Sequence, residues 1–78
     1  MYTEIIENRI NEDCGCQEQH LNIGLIDTVI HIEPNGTGEA FFNAGDWEQE
    51  VSFPTCDNID DLREQAEEYI LSLPVEAW

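Results

Sequence analysis

Ile59, Leu62, Ala66, Tyr69, Ile70 and Leu73 recur at three- and four-residue spacing, the signature of a helix with one apolar stripe. Asp57 or Asn58 can cap the start, and Pro74 cannot continue the helix. Asp60 and Asp61 fall in the first turn, where they complement the positive end of the helix dipole. A lone amphipathic helix needs another layer on which to bury its stripe, and this requirement governs the rest of the fold.

The upstream chain supplies that layer as strands. In residues 21–33, Ile26, Thr28, Ile30 and Ile32 alternate with Asp27, Val29, His31 and Glu33, the period of a strand with one buried face. Pro34-Asn35-Gly36-Thr37-Gly38 then turns the chain. Residues 39–44 return as a hairpin partner, Gly45-Asp46 turns again, and residues 47–53 form a third strand. Its Trp47, Val51 and Phe53 face the core while Glu48, Glu50 and Ser52 face solvent. Near the N-terminus Tyr2, Ile5, Ile6 and Ile10 fit helical spacing better than a strand, so residues 2–10 are expected as a short helix, with an extra strand as the alternative. Residues 11–19 are polar and read as an exposed, mobile connection. Residues 74–78 read as a tail with Trp78 packed back. The expected architecture is α+β, a small three-stranded antiparallel meander packed by a C-terminal helix, in one domain spanning residues 1–78.

Charge sets this domain apart. Eighteen Asp and Glu stand against Arg9 and Arg63, without lysine, for a net charge of -16. Ordinary solubility needs a net charge of roughly 2 to 8 on a small domain. Self-repulsion across a body about one Debye length in radius costs stability, which implies a functional return. The balance excludes direct nucleic-acid binding through phosphate contacts. An apolar content of 41% is enough for a globular fold. Three cysteines suit a reducing compartment better than a disulfide framework. Without a leader or long apolar run, the expectation is a cytoplasmic protein that does not engage membranes.

Asp60, Glu64, Glu67 and Glu68 recur at helical-turn spacing, where like charges oppose each other. Adding Asp46, Glu48, Glu50 and Asp61 gives the expected partner-binding set, since residues 46–68 hold half of the acids. Carboxylates at such spacing compare with successive phosphates of a duplex, so a Lys- and Arg-lined DNA groove would accept them. A protein of this kind inhibits by occupancy, with electrostatic steering speeding the encounter.

In length, charge and the row Asp60, Glu64, Glu67, Glu68, the chain resembles the acidic DNA-mimic inhibitors of phages, notably anti-CRISPR proteins and the uracil-DNA glycosylase inhibitor. The resemblance implies an anti-CRISPR protein in the infected bacterial cytoplasm that blocks target-DNA binding by a type I effector complex. Competing expectations are an acidic module docking a basic protein unrelated to DNA, and halophile-type acidity without a single partner. Clustered like charge favours a monomer, with a dimer through an exposed strand edge as the alternative.

Other constellations carry less. Cys14-Gly15-Cys16 with His20, His31 and Cys56 offers zinc ligands, but one intervening glycine departs from the usual separation of two to four residues. Whether these cysteines stay free, bind metal, or pair Cys56 with Cys14 or Cys16 on oxidation is left open by sequence. Neither Asn11-Glu12-Asp13 nor residues 57–61 match a calcium loop, and Gly36-Thr37-Gly38 is too short to cradle phosphate. Glycosidase-like carboxylate chemistry needs a walled cleft that so small a domain lacks. No enzyme activity, catalytic residue, metal or cofactor is expected.

Overall fold

The computed structural model describes residues 3–73. The chain runs β1 (Thr3–Asn11), β2 (Cys16–Ile23), β3 (Ile26–Ile32), β4 (Gly38–Ala44), β5 (Trp47–Phe53) and α1 (Ile59–Leu71). The strands form one antiparallel meander in the order β1-β2-β3-β4-β5, and α1 packs on one face of it. The fold is therefore α+β with a C-terminal helix, but the sheet has five strands instead of three.

Each discrepancy has a local cause. Residues 3–11 form an edge strand in place of the expected helix. Its register slips between Ile5 and Glu7, and the extra residue puts adjacent Ile5 and Ile6 out of phase with period two. The expected mobile loop of residues 11–19 contracts to a short turn, and residues 16–19 belong to β2. Polar Gln19 occupies a core-side position of β2, only 3% exposed, which hides the alternation. There its amide nitrogen donates to Oδ1 of Asn8 at 2.6 Å, and its oxygen accepts from Nη1 of Arg63 at 3.3 Å. Residues 21–33 hold parts of two strands, parted by the turn Gly24-Leu25. Gly24 adopts φ 63°, a conformation that a two-residue hairpin turn with glycine first requires. Pro74 and Trp78 of the expected tail, and Tyr2, lie outside the described residues.

The core is a single cluster in which Leu21 and Ile23 of β2, Ile26, Ile30 and Ile32 of β3, and Ala40 and Phe42 of β4 meet Leu62, Ala66 and Ile70 of α1. Trp47, Val51 and Phe53 of β5 pack half-buried at its margin. Leu62 of α1 sits directly over Gly38, where a Cβ would stand 2.8 Å from Cδ1 of Leu62 and 3.0 Å from Sγ of Cys56. Both neighbours are buried, so a Gly38→Val protein should lose about 1–3 kcal/mol by overpacking, seen as a lower urea midpoint.

Asn58 caps α1, its side-chain oxygen accepting the N–H of Asp61 at 2.8 Å. Asp61 reaches back to accept the N–H of Asp57 at 2.9 Å. Removal of the cap in Asn58→Ala should cost about 1 kcal/mol in urea unfolding, with the m-value unchanged. Among the described residues no helix is long and apolar enough to cross a membrane.

Candidate functional site

Because α1 covers one face of the sheet, every second residue of every strand is displayed on the other. The register arranges these side chains in rows. Arg9, Glu18, His31, Glu39 and Ser52 stand side by side across the five strands. The next row is Glu7, His20, Val29, Phe41 and Glu50, and the third is Glu4, Asn22, Asp27, Asn43 and Glu48. Seven carboxylates thus share one face: Glu4, Glu7, Glu18, Asp27, Glu39, Glu48 and Glu50. Neighbours are about 4.8 Å apart across strands, a spacing fixed by the ladder hydrogen bonds, and about 6.8 Å along them, a spacing fixed by the extended backbone.

Several of these carboxylates have polar partners on the same face. Nε of Arg9 pairs with Glu7 at 2.8 Å. Nε2 of His20 lies 2.5 Å from Oδ1 of Asp27, and Nδ1 of His31 lies 3.4 Å from Oε1 of Glu18. Glu48 accepts from the Asn43 amide at 3.3 Å. Glu4, Glu39 and Glu50 have no such partner among the described residues. The face is anionic and furrowed. A groove of about 490 Å³ runs along Asp27, Val29, Phe41, Asn43, Glu48 and Glu50, and a smaller one of about 240 Å³ lies across Val29 beside Glu7, Arg9, Glu18 and His20.

The eight acids singled out in the sequence do not form one wall. Glu48 and Glu50 belong to the open sheet face, whereas α1 and its acids lie behind the sheet, on the other side of the domain. Asp60, Glu64 and Glu68 form an exposed ridge along α1, and Arg63 pairs with Asp60 at 2.9 Å. Two members are engaged in the fold: Asp61 in the cap, and Glu67 as acceptor for the Thr3 hydroxyl at 2.8 Å, tying α1 to β1. Asp46 sits exposed in the β4–β5 turn. The split follows from geometry, since a strand that packs Trp47, Val51 and Phe53 under a helix must turn Glu48 and Glu50 away from it. Local clustering missed Glu4, Glu7, Glu18, Asp27 and Glu39, which only the pairing of distant strands brings together.

The cysteines are free: Cys14 is exposed, and Cys16 and Cys56 are buried. The Cys16 thiol is pushed up to about 11, first by its hydrogen bond with Cys14, then by burial and by the negative charges of Cys14, Glu33 and Glu18. Burial foremost, with Asp61 and Asp57, also raises Cys56. In native protein at pH 8, iodoacetamide should therefore label Cys14 alone, with Cys16 and Cys56 reacting after denaturation, as peptide mapping would show. Among the described residues no three His, Cys, Asp or Glu side chains converge as a metal site.

Compared with protein-family models, curated proteins and solved structures, the chain matches none of them.

Proposed function

We propose that this protein is an inhibitor that occupies a positively charged DNA-binding surface by presenting carboxylates where phosphates would lie. The supporting observation is the open sheet face, on which seven carboxylates spring from a hydrogen-bonded lattice whose backbone register is already fixed. A backbone already paired into a sheet loses little conformational entropy when it docks, and the field of the face raises the rate of encounter with a basic groove. Arg and Lys forks that grip phosphate oxygens also grip carboxylates. Within this reading the partner is a bacterial nucleic-acid-binding complex, and the specific form proposed is an anti-CRISPR protein that blocks target-DNA binding by a type I effector.

The test is retention of bacterial lysate proteins on the immobilised chain at low and moderate salt, followed by elution with duplex DNA. DNA-binding proteins released by duplex are the expected result. Retained proteins that duplex cannot displace would instead assign the surface to a basic partner unrelated to DNA.

A further inference from the structure

The open sheet face is not uniformly charged, because Val29 and Phe41 stand opposite each other at its centre and Phe41 is 42% exposed. A surface that served only as a grid of charge would gain nothing from an exposed aromatic ring there. Glu50 is paired in register with Phe41, so its carboxylate rises beside the ring. Asp27 and Glu48 flank the same groove of about 490 Å³.

We infer that this groove is the receptor for an arginine side chain of the partner protein, with its stem on Val29, its guanidinium stacked on Phe41 and its fork on Glu50. This rests on the reading that the acidic face meets a basic protein. The choice of arginine over lysine follows from the ring and the carboxylate together. A guanidinium is planar, weakly hydrated and able to stack and fork at once, whereas an ammonium is a compact, strongly hydrated point charge. The occupant comes from outside the chain. Arg9 lies on this face but is paired with Glu7, and Arg63 lies behind the sheet, bonded to Asp60 and Gln19.

The experiment is an amide NMR titration of the full chain with blocked tri-arginine and tri-lysine peptides, repeated on Phe41→Leu and Glu50→Gln. Saturable shifts should centre on Val29, Phe41, Asn43, Glu48 and Glu50, with arginine binding roughly threefold more tightly than lysine. Phe41→Leu should erase that preference, and Glu50→Gln should weaken both peptides while shrinking the gap. Glu50 is exposed and outside the core, so its replacement keeps the test valid if Phe41→Leu perturbs the strand. Equal affinities, shifts spread over α1, or no saturable shift at millimolar peptide would overturn the assignment. So would shifts at these residues on dilution of the free protein, which would give the groove to a second copy. Arginine selectivity without duplex competition would keep the groove and remove the inhibitor reading. Duplex competition without arginine selectivity would do the reverse.

Discussion

Replacing Glu48 and Glu50 together by lysine should weaken binding to the basic partner by about a hundredfold, whereas Glu64→Lys with Glu68→Lys should weaken it less than about fivefold. Both pairs change net charge equally, so the comparison separates the face in contact from the overall field. On the sheet face, two attractions become two repulsions against Lys or Arg, and like-charge juxtaposition at a contact costs several kcal/mol. About 2.7 kcal/mol is already a hundredfold in affinity. On α1 the same change acts through the thickness of the domain, beyond one Debye length at physiological salt, and is largely screened. Neither pair touches the core, and both relieve self-repulsion, so the variants should melt no lower than the parent. Titration calorimetry with the captured partner reads the binding, and thermal unfolding followed by circular dichroism reads the fold.

Phe42→Ala should leave the chain largely unfolded at 25 °C, whereas Phe41→Ala should change its stability by less than about 1 kcal/mol. The two residues are adjacent on β4 and point to opposite faces. Phe42 is 2% exposed, with ring centroids 6.3 Å from Trp47 and 5.6 Å from Tyr69, so it joins β4, β5 and α1. Phe→Ala in a core costs about 3–5 kcal/mol. A domain of this size has only about 4–12 kcal/mol in total, and the carboxylate repulsion places this one toward the lower end. Phe41 lies outside the core, on the open face. Far-UV circular dichroism with urea titration distinguishes the outcomes, and equal losses from both substitutions would mean that the sheet is covered on both faces.

The parts of the fold that were legible in the sequence are those with one apolar face under the core. The helix stripe Leu62, Ala66, Ile70, the alternation Ile26 to Ile32 and the β4–β5 hairpin all meet this condition. β1 does not, because the helix leaves it almost bare and Ile5, Ile6 and Ile10 are 45–67% exposed. β2 does not, because a hydrogen-bonded glutamine fills a place where an apolar residue would have marked the period. The site was legible only in part. Charge excess pointed to an acidic surface, but proximity in sequence selected residues 46–68, which period two and the helix layer divide between opposite sides. Glu4, Glu18 and Glu39 come together through register, and register becomes apparent only once the turns at residues 12–15 and at Gly24-Leu25 are known.

Equilibrium competition is the most direct measurement: labelled duplex DNA on the captured DNA-binding protein, titrated with this chain at several salt concentrations. If the sheet face stands in for a polyanion, the apparent Kd for duplex should rise in proportion to the concentration of this chain, and the inhibition constant should weaken steeply with salt. A ternary complex in which duplex and this chain are bound together, with affinities independent of each other, would contradict it.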